Sequence, residues 1–382
     1  MRALRIEGGR VLAEGRIEAG DVLLAEGVVA ALGSGEADAK VIDASGLLVL
    51  PGVVDIHGDA FERQVQPRPG VDFPIGLALA ETERQLLANG ITTAFHGVTL
   101  SWEPGLRSAL MWRALLDGLA AQAWDCDMRV HLRWEAFNLD ALDVACADIA
   151  AGRVHLLAFN DHTPSIMARL GDDAKASKYS ERGAMSLAAF RALAERVAAR
   201  SADVAPGLDR IAAAARAAGL PMASHDDDTV ACRDGFRARG ARVCEFPMEA
   251  AVGVAARAAG DAVVMGSPNV VRGKSHLGWA SAAMMAEKGV CTVLSSDYFY
   301  PCLIRAAFLL AGRGVLSLAQ AWALVSGNPA AAAGLQDRGT IAVGRRGDLV
   351  LVSDAGGIPR VVATVAAGRL VYLAAEGMER LG

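Results

Sequence analysis

Pro51-Gly52-Val53-Val54-Asp55-Ile56-His57-Gly58-Asp59 is an apolar run that ends in a histidine and a carboxylate two residues apart. In a strand, side chains two apart share a face, so His57 and Asp59 can converge on one cation while the residues before them pack a core. Taken alone, the pattern also fits a strand that merely ends in polar residues. The rest of the chain decides.

Upstream, residues 1–50 read as short strands joined by tight turns, at 3–7, 10–13, 21–25, 28–32 and 40–43, with no crossover helices. Downstream of Pro51, apolar β-rich runs alternate with helical stretches, the pattern of a parallel sheet with crossover helices. Strands are expected at 53–56, 92–95, 128–134, 154–159, 221–224, 242–246, 262–265 and 291–295. Eight such units predict a (β/α)8 barrel, a TIM-like α/β fold whose functional groups gather where the strands end. Polar residues do sit there: His57 and Asp59, His96, Glu135, Asp161 and His162, His225, Glu245, Asn269 and Asp297. The tail returns to β character at 339–344, 347–352, 360–367 and 369–373. The expected division is a small β-sandwich domain from residues 1–50 and 339–382 around a catalytic barrel of residues 51–338.

Composition narrows the function classes. The 382 residues are 53% hydrophobic, and no run of about 20 apolar residues suggests a membrane span. No basic region followed by an apolar core opens the chain, so cytoplasmic residence is the expectation. Six scattered cysteines with no Cys-x-x-Cys pair argue against a zinc knuckle or a disulfide framework. A net charge of -5 gives no overall attraction to nucleic acid or to an anionic membrane, so a local cluster of cations must hold any anionic substrate.

Two-metal hydrolytic sites need neutral imidazoles, carboxylates and a group that accepts the proton of the attacking water. His57 and Asp59 are candidates to hold a first metal, Glu135 to bridge, His225 to hold a second, and Asp297 to bind metal and shuttle the proton. One or two divalent ions are expected, with zinc favoured; manganese, iron and nickel also suit mixed nitrogen and oxygen donors.

The β-domain from both termini, the Pro-Gly-x-x-Asp-x-His opening of the barrel, Ser224-His225-Asp226 and Ser296-Asp297 resemble the amidohydrolase superfamily over essentially the whole chain. Longer strings resemble one branch of it, the PhnM group that hydrolyses α-D-ribose 1-methylphosphonate 5-triphosphate in phosphonate metabolism. They are His57-Gly58-Asp59-Ala60-Phe61-Glu62, Pro67-Arg68-Pro69-Gly70-Val71-Asp72, Leu132-Arg133-Trp134-Glu135, Asp161-His162-Thr163-Pro164, Glu245-Phe246-Pro247 and the segment from Gly266 to Gly273. Asp59 stands where the superfamily commonly has a second histidine, and Glu135 where it often has a carboxylated lysine. Ser165 and Lys274 depart from the branch pattern in presumed substrate loops.

The resemblance implies a diphosphatase that releases pyrophosphate from a phosphorylated small molecule. Such a substrate needs cations beyond the metals: Arg63, Arg68, Arg272 and Lys274 are candidates, with His276 and Tyr298 as further donors, and Lys175, Lys178 and Arg182 as weaker ones. His162 and Glu245 compete to complete the second metal site, Glu245 alternatively acting behind the ligands. His131 and His155 read as structural, His96 as a support, Asp226, Asp227 and Asp228 as hydroxyl-binding or helix-capping, and Cys302 as no nucleophile. A homo-oligomer is compatible with the chain. The rival readings are a C–N amidohydrolase or deaminase and, in a different class, an inactive barrel serving as a binding subunit.

Overall fold

The computed structural model describes residues 3–33, 38–68, 70–273 and 281–382; Lys274 and His276 lie outside the described residues, as does the side chain of Arg182. The chain opens with β1 (Ala3–Ala13), β2 (Arg16–Ala25), β3 (Val28–Leu32), β4 (Ala39–Asp43) and β5 (Leu48–Pro51). The barrel strands follow: β6 (Val53–Gly58), β7 (Ile91–Leu100), β8 (Asp127–Glu135), β9 (Leu156–Asn160), β10 (Met222–His225), β11 (Val243–Glu245), β12 (Ala262–Gly266) and β13 (Val293–Ser295). The tail adds β14 (Leu349–Ser353), β15 (Arg360–Ala366) and β16 (Arg369–Leu373).

Both chain ends build one mixed sheet in the order β16-β15-β14-β5-β1-β2-β3, with β4 paired to β1. Alternating residues such as Leu4, Ile6, Val22, Leu24, Val49, Leu349 and Leu351 meet in a single core, so the sandwich character comes from one hydrogen-bonded path folded over its own apolar face. Two expectations need correction. The predicted strands at 3–7 and 10–13 are one strand, β1, irregular between Ile6 and Gly9. Residues 339–344, read as a strand, form turns in which Ile341 makes a bridge to Ala13. The glycines at 339 and 344 both take positive φ, which breaks a ladder at each end.

β6 to β13 run side by side in chain order as a parallel sheet. A parallel bridge between Gly58 and Asp297 joins the last unit to the first. Every residue of β6, β7 and β9 is buried, as in parallel strands covered on both faces. On β9, Leu156 and Ala158 pack with Val54, Phe95, Ala223, Val243, Val264 and Val293 inside the barrel, whereas Leu157 and Phe159 pack with Trp112, Leu208 and Ile211 of the surrounding helices.

Gly52 explains the Pro-Gly opening. The chain passes there from the small sheet to the barrel, its N–H donating to the Asp348 carbonyl at 2.8 Å. A Cβ at Gly52 would collide with Thr92 and press on Asp348. Among the described residues, no helix is long and apolar enough to cross a membrane. The six cysteines are free.

Candidate active site

The site begins with a bulge. Asp55 pairs with Ala94 but Gly58 with His96, so three steps on β6 span two on β7. The bulge separates the tasks of neighbouring residues. Asp55 turns to the barrel seam, accepting from Ser296 N at 3.1 Å, Ser296 Oγ at 2.5 Å and His57 N at 3.3 Å. His57 turns to the interior. Across the seam, Asp297 N donates to His57 O at 3.0 Å and Asp59 N donates to Asp297 O at 2.9 Å.

β8 supplies the opposite wall. His131, Arg133 and Glu135 lie two apart and pair with Leu156, Ala158 and Asn160 of β9, on the inward register. His131 donates from Nδ1 to the Ile56 carbonyl at 3.0 Å, which leaves the Nε2 lone pair for another partner. Arg133 donates from Nη2 to His225 Nε2 at 2.9 Å. His225 therefore carries its proton on Nδ1, which lies 3.3 Å from Glu245 Oε2. The same carboxylate oxygen lies 3.0 Å from His57 Nδ1 and 3.7 Å from His131 Nε2. The His57 and His225 rings stack with centroids 5.1 Å apart, and Phe246 sets its edge against both.

A second group forms nearer the mouth. His162 lies beside Glu135, its backbone N–H at 3.0 Å from Oε1 and its Nδ1 at 3.1 Å from Oε2. Thr163 also donates to Glu135 through Oγ1 at 3.0 Å, so this carboxylate anchors the start of the following helix. His162 Nε2 and His225 Nε2 lie 3.7 and 3.5 Å from the Asp226 carboxylate.

Among the described residues, two sets of donors can thus hold a divalent ion: His57, His131 and Glu245, all buried, and His162, His225 and Asp226, the second only when His225 Nε2 gives up its bond from Arg133 and His162 sheds its proton. The first set passes a direct test. Among the described residues, His131 Nε2 and Glu245 Oε1 are buried with no hydrogen-bond partner, an arrangement that costs free energy unless a further group satisfies them. Nitrogen and oxygen donors of this kind suit a divalent transition metal.

Burial sets the protonation states. It pushes the imidazole of His57 down to about 3 and that of His131 to about 4, keeping both neutral as metal ligands require. Burial raises Glu245 to about 7 against the pull of His131 and Arg133. Asp297 is raised to about 7 by burial and then by the nearby charge of Asp59. His162 goes the other way: burial opposes its charge, but hydrogen bonds to Asp226 and Glu135 outweigh that and hold it up at about 9.

The structure thus brings His57 together with Glu245, and His162 with Glu135 and His225. Asp59 belongs to neither of these sets and lies beside Arg133, Oδ2 to Nη1 being 3.6 Å. Both residues left in competition, His162 and Glu245, stand in the site, one in each set. His131, read as structural, joins the first set. The signal was present in the sequence, because an inward Glu135 at a strand end implies inward residues at 133 and 131. Arg107 was also missed. It lies 3.6 Å from Glu103, and although burial opposes its charge, Glu62, Glu103, Asp59 and Glu135 together raise its pKa.

The expected cations divide. The Arg63 guanidinium lies over the Tyr298 ring, 5.9 Å from its centroid, and Arg272 donates to the Tyr298 hydroxyl at 3.4 Å. Arg68 is exposed on a tight turn closed by Val71 N and Arg68 O at 3.0 Å. Lys175 is exposed and pairs with Asp172 at 3.2 Å; Lys178 is exposed as well. His155 accepts from Val130 N at the start of β9, and His96 sets its ring against Phe61. Thr229, not an aspartate, caps the helix after β10, while Asp227 accepts from Ser224 Oγ. Burial raises the Cys302 thiol to about 11, which suits no nucleophile.

Comparison with known proteins identifies the family and the fold. Residues 135–372 match the amidohydrolase family. An α-D-ribose 1-methylphosphonate 5-triphosphate diphosphatase from Escherichia coli (strain K12) is 31% identical over 355 residues, covering 91% of this chain and 94% of that protein. Among solved structures, a 5-methylcytosine deaminase from Klebsiella pneumoniae superposes with a TM-score of 0.64 at 14% identity, covering 97% of each chain. A molinate hydrolase superposes equally well, with a TM-score of 0.64 at 14% identity over 97% of this chain and 94% of that one. At such identities the two structures share the fold alone. The extent of the family match and the near full-length likeness to the diphosphatase show that the chain belongs to the amidohydrolase family and is a metal-dependent hydrolase.

Proposed function

We propose that this hydrolase cleaves the triphosphate of α-D-ribose 1-methylphosphonate 5-triphosphate, releasing pyrophosphate and leaving the 5-phosphate. The observation that carries the reading is the gathering of guanidinium groups at Tyr298, the residue after Asp297. Arg63 and Arg272, both exposed, each contact the Tyr298 side chain and offer two guanidinium forks to an anion there. The near full-length likeness to a diphosphatase supports the same substrate class.

The donors present favour zinc, with manganese, iron or nickel as compatible ions. When bound, a divalent ion activates water and neutralises charge on the phosphoryl group. The chain's own part is positional and protonic. Asp297, its pKa raised to about 7, takes a proton from the attacking water and passes it to the leaving group. The water oxygen bonds to the α-phosphorus, the bond from that phosphorus to the α–β bridging oxygen breaks, and the bridging oxygen departs with pyrophosphate.

The test is phosphorus NMR of products formed in ¹⁸O-labelled water by metal-loaded enzyme, with ATP as a control. The expected result is pyrophosphate without label and sugar 5-phosphate carrying one ¹⁸O. Absence of pyrophosphate from the ribose substrate would overturn the assignment, and label in pyrophosphate would move the attack to the β-phosphorus.

A further inference from the structure

Arg133 is a buried cation with few partners among the described residues. It projects inward from β8 between His131 and Glu135 and is 6% exposed. A guanidinium carries five N–H donors. Here one of them meets His225 Nε2 at 2.9 Å, a neutral acceptor, and the paired carboxylate of Asp59 stands at 3.6 Å, beyond normal hydrogen-bond length. Its Nε is buried with no hydrogen-bond partner among the described residues.

The molecule offers internal contrasts. Arg233, 1% exposed, also leaves its Nε unpartnered but binds the Asp261 carboxylate at 2.6 Å, the Ser224 hydroxyl at 2.7 Å and the Ala241 carbonyl at 2.8 Å. Arg338 binds Asp127 at 2.5 Å, the Thr93 hydroxyl at 2.8 Å and both oxygens of Asp337. Arginines that serve the fold are closely paired with carboxylates, as the cost of a buried charge demands. Arg133 is not, and it lies at the centre of the site. Its charge acts on His57, His131, His162, His225, Glu245 and Asp297.

Room for it comes from Gly97 on the neighbouring strand. A Cβ there would press on Arg133 Cδ at 3.3 Å and come into ordinary contact with His57 Nε2 at 3.6 Å.

We propose that Arg133 binds the non-bridging oxygens of the phosphoryl group under attack, and that Asp59 is its positioning partner. The proposal rests on the triphosphate reading above. It gives a physical reason for aspartate at position 59, since a carboxylate aims a guanidinium where an imidazole would repel it or leave it unpaired. The loose geometry leaves the fork's other donors available for an anion, and two parallel N–H groups match two phosphoryl oxygens.

The test compares wild type, Arg133→Met, Arg133→Lys and Asp59→Asn for three readouts: bound metal by mass spectrometry, affinity for inorganic phosphate by calorimetry, and kcat on the triphosphate. Arg133→Met is expected to keep its metal, to bind phosphate at least about 30-fold more weakly, and to lose about 10³-fold in kcat, as loss of an arginine on a transferring phosphoryl group does. Arg133→Lys keeps the charge without the fork and is expected between the two; it also carries the question if the methionine variant fails to fold. Asp59→Asn is expected to keep full metal content with weakened phosphate binding. Wild-type phosphate affinity in a metal-replete Arg133→Met or Arg133→Lys variant, or metal loss accompanying phosphate loss, would overturn the role of Arg133. Metal loss in Asp59→Asn would return Asp59 to the metal ligands. Failure of the wild type itself to bind phosphate or release pyrophosphate would sink the triphosphate reading instead.

Discussion

Asp297 owes its proposed role to position. Its backbone is fixed on both sides by His57 and Asp59, and its carboxyl is raised to about 7 by burial and by the charge of Asp59. Replacement by Asn keeps the shape and removes the proton acceptor, so kcat should fall by about 10² to 10⁴, while the urea midpoint at neutral pH should not fall, because the neutral amide escapes the cost of a buried carboxylate; steady-state turnover and urea denaturation check this together. An Asp297→Asn variant with wild-type turnover would remove Asp297 from the proton path. At this scale the sequence revealed residues whose chemistry is specific to a site and whose place at a strand end is unambiguous. His57, His225 and Asp297 satisfy both conditions. His131 and Arg133 satisfy neither when read singly, because a mid-strand histidine or arginine is ordinarily core or paired. Their meaning comes from sharing a face with Glu135, and from tertiary neighbours on β6, β10 and β11 that no local pattern announces.

Barrel strands end here in an unusual way. Asp226 directly follows β10, Phe246 directly follows β11 and Asp297 lies just beyond β13, and all three adopt left-handed backbone, with φ of 58°, 50° and 55°. Glycine would take that conformation at no steric cost, whereas each of these residues costs on the order of 1 kcal/mol there. The side chains repay it: Asp226 faces His162 and His225, and Phe246 packs against the rings of His57 and His225. The seam between β6 and β13 is a second device of this scale. It depends on Asp55, whose carboxylate receives three donors from His57 and Ser296. Asp55→Ala should destabilise the protein by about 2–4 kcal/mol, since buried donors are left unsatisfied at about 1–3 kcal/mol each; urea denaturation measures it, and a loss below about 1 kcal/mol would contradict the role of the seam. All eight barrel strands were legible because parallel strands buried on both faces are short apolar runs between turn residues. Strand β5 was not, since Leu48–Pro51 runs into β6 with Gly52 as its one break and looks like part of the same run. Left-handed strand ends were also hidden, because glycine, their usual mark, is absent from all three.

The whole molecule carries its histidines mostly uncharged. Of the six described, His57, His96, His131, His155 and His225 have lowered pKa values, burial being the first cause in each, and His162 alone is raised. A lowered folded-state value means that the unfolded chain takes up a proton which the native state refuses. Stability from such a group is intact above the unfolded value of 6.5 and is lost as pH falls toward the folded one. The raised carboxyls oppose this trend. Asp55 and Asp161, each raised to about 6, and Glu245 and Asp297, each raised to about 7, favour the native state as pH falls through those values. The net acid response is therefore a balance, and one histidine must be isolated to read it. His96 is suitable: it belongs to neither donor set, its ring lies against Phe61, and burial alone lowers it to about 4. A shift from 6.5 to about 4 is worth about 3 kcal/mol in full, and about 2.5 kcal/mol of it is spent by pH 4.5. His96→Phe, which keeps an aromatic ring beside Phe61 and cannot be protonated, should match the metal-free wild type in urea at pH 7.5 within about 1 kcal/mol. At pH 4.5 it should exceed the wild type by about 2.5 kcal/mol relative to that starting difference. Parallel stability curves across this range would mean that His96 charges in the native state, and that the barrel wall around it admits water on protonation.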